Sequence, residues 1–217
     1  MTTPKERLSH LLELAASGAG ERTALAGEVA DLLLDWPAQY SAAMRGTFAA
    51  LLEKIVREID APSRAALAAR FEGRADFPPA LLNEFFFCAS PAMKDAILAC
   101  NDAAEPLPAP PVDSDGLLKA ARTTGDFMPA LAEAAQVPAA LALACLRDPQ
   151  ALAVLVKGAG VNRATFSAIA ILTGPARSVR ENFAMLELFD RVPQNGARQL
   201  VAFWRAHGET MPVERAA

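Results

Sequence analysis

The chain has 217 residues, 53% of them hydrophobic and 21% charged. It is therefore long enough to bury a core without metal or disulfide staples. Its net charge of −4 and pI near 5.3 deny the molecule as a whole the phosphate-neutralising term on which nucleic-acid affinity rests, and no apolar run approaches the roughly 18 residues of a transmembrane helix.

Thr3-Pro4-Lys5-Glu6 is a capping box with proline at the first helical position, followed by Leu8, Leu11, Leu12 and Ala15 at helical spacing. A secretory signal would carry an apolar core at this point, so the reading is a soluble, cytoplasmic chain. Ser17 to Gly20 ends the first helix, and Leu25, Val29, Leu32, Leu33 and Trp36 mark a second that stops at Pro37. From Ser41 to Asp60, Met44, Phe48, Leu51, Leu52, Ile55, Val56 and Ile59 recur at steps of three and four, an amphipathic helix. Asp60-Ala61-Pro62 stops it and opens the next, because proline fits a first turn and the preceding Asp caps free N–H groups. Leu67 and Phe71 then face inward. Asp76-Phe77-Pro78-Pro79 and Ser90-Pro91 repeat the device before Leu81 to Cys88 and before Met93, Ile97 and Leu98. Phe85-Phe86-Phe87 leaves no polar face over one turn, which predicts cover on more than one side, with an exposed aromatic patch as the alternative.

The run Leu51 to Phe71, with Asp60 and Arg64 at its centre, resembles the helix–Asp–Arg–helix pattern of HEAT-type repeats. Together with Leu11-Leu12-Glu13-Leu14-Ala15 and Arg22-Thr23-Ala24-Leu25-Ala26, it is similar to the bacterial family called domain of unknown function 2336. The likeness covers about the first hundred residues and fades past residue 112. It implies a HEAT-like helical fold and no assigned activity, and it supplies no catalytic residue.

Pro106, Pro108, Pro110 and Pro111 exclude helix and predict an extended strap or linker over 105–112. The expected division is an N-terminal half over 1–104, this linker, a C-terminal half over 113–208 and a tail over 209–217. In the second half Leu117 and Leu118 start a short helix, and Asp126-Phe127-Met128-Pro129-Ala130-Leu131 echoes the stretch at Asp76. Pro138 and Asp148-Pro149 open two more helices. Asn162 caps one that buries Phe166, Ile169 and Leu172, and Ser178-Val179-Arg180-Glu181 is a capping box for one with Phe183, Leu186 and Phe189 on one side. Pro193 starts the last, with Ala197, Leu200, Val201 and Trp204 inward, ending at His207-Gly208. Trp36 and Trp204 are both expected to be largely buried.

Catalytic chemistry finds little foothold. Leu152 to Asn162 carries the Gly158-Ala159-Gly160 turn with which a dinucleotide site begins, but Arg163 stands where the third glycine belongs, and Asp148-Pro149 makes the same run a capped helix. His10 and His207 are the only histidines, with no HxxxH or GxSxG pattern. Asp31 and Asp35, one turn apart, lack a third ligand. Cys88, Cys100 and Cys145 are odd in number and widely spaced, so they read as buried thiols and not as a disulfide framework or a CxxC site. No cofactor or metal is expected.

Residues 1–112 carry 10 basic and 15 acidic residues, while 113–217 carry 11 and 10. From Arg163 onward every basic side chain is arginine, the residue suited to bidentate contact with carboxylate or phosphate. Arg177 and Arg180 bracket a helix N-terminus, and Arg198 and Arg205 lie seven apart on one flank of the last helix. These four are the candidate partner- or anion-binding residues, with salt bridging to Glu181, Glu187 and Asp190 as the plain alternative. The expectation is an all-α fold of HEAT-like hairpins, stacked as a short solenoid or bundle and serving as a non-catalytic interaction or regulatory module. Its partner is another protein, with nucleic acid or a phospholigand as the alternative. The chain is read as a monomer or weak dimer.

Overall fold

The computed structural model describes residues 22–74, 76–123, 126–173 and 178–209, and the capping box at Thr3, the helix after it and the tail beyond Glu209 lie outside them. Among the described residues the chain is all-α, with no strand. It divides into two compact units between Lys94 and Asp95.

In the first unit α1 (Arg22–Leu34) packs against α2 (Ala42–Val56) and α3 (Ala61–Phe71), and α2 also against the short α4 (Pro79–Asn83). Local chemistry sets the boundaries. The Ser41 hydroxyl accepts from Met44 N at 3.2 Å, and Asp60 accepts from Ser63 N at 2.8 Å with Pro62 in the first turn. Asp76 differs from expectation. Pro78 occupies the cap position of α4, and the Asp76 carboxylate instead meets Arg45 at 2.7 Å and Arg74 at 3.1 Å. Phe85 and Phe86 are fully buried, and Phe85 stacks on Phe71 with centroids 5.5 Å apart, which accounts for the absence of a polar face there. Trp36 also departs from expectation. It falls two residues past the end of α1, half-buried against Tyr40 and Phe48, with its indole N–H donated to Tyr40 O at 3.3 Å. Met44, in the first turn of α2, is exposed and not inward.

The division falls inside α5 (Pro91–Asp102). The second unit continues with α6 (Ser114–Ala121), α7 (Phe127–Ala135), α8 (Ala139–Arg147), α9 (Pro149–Gly158), α10 (Arg163–Thr173), α11 (Val179–Arg191) and α12 (Gln194–His207). Its core is α9, buried from Gln150 to Val156, which packs on α7, α8, α11 and α12. Asp148 caps α9 by accepting from Gln150 N and Ala151 N at 2.9 and 3.1 Å. The far end closes as a Schellman turn: Gly160 is left-handed with φ +92, its N–H reaching Lys157 O, and Val161 N reaches Val156 O. The glycines that suggested a nucleotide turn are thus a helix stop and a helix contact. Asp126 makes no side-chain cap, so the echo of the Asp76 stretch is not an echo of function in either place.

Gly158 is where α9 and α12 touch backbone to backbone. A Cβ there would lie 2.5 Å from Val201 Cγ2 and 2.6 Å from Ala197 O, and the carbonyl cannot rotate away. Gly158→Ala is therefore expected to destabilise the protein by about 1–3 kcal/mol through overpacking, although alanine is worth roughly 1 kcal/mol over glycine in an unhindered helix. A raised melting temperature for this variant would show that the seam has slack.

Candidate functional site

Three of the four candidate arginines fall among the described residues; Arg177 lies outside them. They do not gather. Arg198 is half-buried and donates Nη1 to Leu107 O at 3.0 Å, while Arg205 donates Nε to Ala135 O at 2.7 Å. Ala135 is the last residue of α7, whose negative end favours a cation, and burial pulls the Arg205 guanidinium below its ordinary pKa. Arg180 stands apart on the first turn of α11, exposed and without a partner among the described residues. Arg163 pairs with Asp190 at 2.8 Å, as the salt-bridge alternative expects, but Glu181 is committed to the capping box, its carboxylate accepting from Ser178 N at 2.7 Å.

Arg198 belongs to a clasp on the Pro-rich segment. Prolines lack N–H groups, so the segment cannot close hydrogen bonds on itself and its carbonyls need outside donors. The first turns of α12 supply them. Asn195 donates Nδ2 to Asp102 O at 3.0 Å and to Ala104 O at 2.9 Å, and accepts from Leu107 N at 3.2 Å. Gln199 donates Nε2 to Glu105 O at 2.6 Å. The segment is thus held against α12 inside the second unit.

An exposed apolar groove lies elsewhere. Between α10 and α11 runs a groove of about 390 Å³ lined by Ser167, Ala170, Ile171, Val179, Phe183 and Leu186. Ile171 is 63% exposed, Val179 73% and Phe183 63%. Asn182 also lines it and presents a buried Oδ1 without a donor among the described residues. Two expectations are corrected here: Phe183 and Leu172 face outward. Phe183, Leu186 and Phe189 are three apart, and each such step turns about 60° back around a helix of 3.6 residues per turn, so they cannot share one stripe. The buried stripe is Met185, Phe189 and Val192, spaced four and three. Opposite it stand Arg180, Phe183, Ala184 and Glu187, at i, i+3, i+4 and i+7, all exposed. That second periodicity is present in the sequence, hidden by assigning Phe183 to the core.

Two other features resemble catalytic groups and are better explained locally. Lys157 donates Nζ to Phe189 O at 2.7 Å near the end of α11 and lies 4.8 Å from the Phe189 ring, with burial lowering its pKa. Glu84, at the end of α4, has a fully buried side chain that accepts from Arg57 Nε at 2.6 Å, and Arg57 also reaches Glu53 at 2.6 Å. Asp31 is ion-paired to Arg70. Cys145 is buried, whereas Cys88 and Cys100 are half-buried. Among the described residues no three His, Cys, Asp or Glu side chains gather to hold a metal. No single helix there is long and apolar enough to cross a membrane; α7 and α8 would suffice only as a pair, and they turn by 110° at their junction. Against family models, curated proteins and solved structures the chain finds no match.

Proposed function

We propose that the chain is a non-catalytic, cytoplasmic protein-interaction or regulatory scaffold module, built of HEAT-like hairpins, that binds another protein through the face of α10 and α11. The observation that carries this reading is the adjacent exposure of Ile171, Val179 and Phe183 along one groove. Contiguous apolar surface of this kind marks interaction sites, and a cleft between two helices suits the apolar face of a third. The HEAT-like reading, and with it the likeness to domain of unknown function 2336, draws support from the helix–Asp60–helix junction and from the order of packing in the second unit. There α6 packs on α7, α7 on α8 and α8 on α9, the nearest-neighbour pattern of repeats.

The alternative, a phospholigand or nucleic acid on the C-terminal arginines, meets two guanidinium groups already occupied by backbone carbonyls. Affinity capture on the immobilised chain tests the proposal: wild type retains a protein that Val179→Asp and Phe183→Asp release. Equal retention by all three would reject it. A labelled DNA or RNA oligomer titrated at low salt is expected to show no saturable binding; tight, salt-sensitive binding would put the arginine reading in its place.

A further inference from the structure

We infer that the partner seated on α11 is a second copy of this chain, related by a two-fold axis that passes between the two copies of α11, perpendicular to both, at the level midway between Phe183 and Ala184. The inference rests on the interaction reading above and identifies its occupant. The argument begins with charge. Arg180 and Glu187 sit on the outward line of α11, seven residues apart, both exposed and neither paired among the described residues. At 1.5 Å of rise per residue they are about 10 Å apart, too far to meet on their own helix. Glu181 and Asp190, the other carboxylates of α11, are taken up by Ser178 and Arg163.

An antiparallel copy of α11 turned about that axis faces each residue on the outward line with the one on that line whose number completes the same sum. Arg180 therefore stands opposite Glu187 of the second copy, and Glu187 opposite its Arg180, giving two ion pairs from one symmetry operation. Side chains flanking that line face their own symmetry mates. Phe183 lies on the groove side, so the two Phe183 rings meet beside the axis and each leans over the Val179 and Ile171 surface of the other copy. Ala184 lies on the opposite flank, where its small side chain lets the helix axes approach. The apolar surface is thus continuous across the pair, and the two unpaired charges of each copy complement those of the other. A contact centred on a single helix is at the small end of specific interfaces, so the dimer is weak and reversible.

Sedimentation of the full chain over a concentration series tests this. Wild type is expected to pass from monomer to dimer, Phe183→Asp to remain monomeric, and Arg180→Glu and Glu187→Arg each to weaken association at least tenfold through paired like charges. All three positions are exposed, so circular dichroism should match wild type. The decisive arms are the mixtures: combining Arg180→Glu with Glu187→Arg, or placing both changes in one chain, restores association, because either restores both opposite-sign pairs. A wild type that stays monomeric up to about 1 mM, a scale at which even weak contacts populate, overturns the inference. So does a dimer indifferent to Phe183→Asp, or charge variants that no mixture rescues. If the wild type is monomeric and still retains a foreign protein that Phe183→Asp releases, only the identity of the occupant falls. If neither self-association nor capture is seen, the interaction reading falls with it.

Discussion

Replacing Trp204 by alanine is expected to lower the unfolding free energy by about 3–5 kcal/mol, the range for removing a buried tryptophan from a packed core. Trp204 is fully buried, as are Ala197, Leu200 and Val201 on the same side of α12. The helix cannot shift to fill the space, because Gly158 brings its backbone against Ala197 and Gly196 brings it equally close to Leu98 O. Rigid contact at two glycines leaves the cavity open, which is the condition under which large-to-small changes cost most. Urea unfolding measures the loss, and a change below about 1 kcal/mol would mean that α12 is free to collapse. Fluorescence gives an independent check. Trp204→Phe leaves Trp36, half-buried in the first unit, as the sole emitter, and its emission should be more readily quenched than that of wild type.

The second expectation concerns pH. Burial pushes the Glu84 carboxyl up from 4.5 to about 7, against the pull of Arg57; Glu53, on the same guanidinium, adds to the rise, and Arg64 opposes it. The folded chain therefore holds a proton that the unfolded chain has lost. The associated stability is fully present below about pH 4.5 and disappears as pH rises through 7, a difference of about 3 kcal/mol by linkage. The shifted aspartates work in the other direction. Asp60 is held low by Ser63, Asp76 by Arg74 and Arg45, and Asp190 by Arg163, so their contributions are present above about pH 4 and are lost only in stronger acid. Between pH 5 and pH 8 the Glu84 slope stands clear of them. Stability should fall across that interval in wild type and stay nearly flat in Glu84→Gln, with the variant the more stable of the two at pH 8. Parallel curves for the two proteins would show that Glu84 carries its charge when folded.

Much of the secondary structure was legible from short-range chemistry. Asp60, Asp148, Asn162 and Ser178 each cap a helix as their spacing predicts, because a cap is made by a side chain and N–H groups two or three residues away. The stripe Ala197, Leu200, Val201 and Trp204 was legible for a similar reason: steps of three and four have one solution on a helix. Asp76 departs from the capping role its spacing predicts because its partners are arginines, one of them, Arg45, far away in the chain. Phe183 departs from expectation because its residue type says core while its position on the wheel says surface, and only the burial of Met185 and Phe189 decides between them.

The candidate site divides along the same line. The sequence by itself determined the all-α character of the described residues, the helix starts capped by Asp60, Asp148, Asn162 and Ser178, and the presence of arginines in the last third. Where those arginines go was decided by tertiary structure, since Leu107 O lies 91 positions from Arg198 and Ala135 O lies 70 from Arg205, and no local rule relates such pairs. The same holds for Gly158, whose missing side chain has meaning only once Ala197 and Val201 are packed against it, and for Glu84, an ordinary carboxylate in sequence that the fold places out of water. Caps and stripes are fixed by contacts within a turn or two. Burial, close approach and the partner of a long charged side chain depend on which helix arrives from elsewhere in the chain.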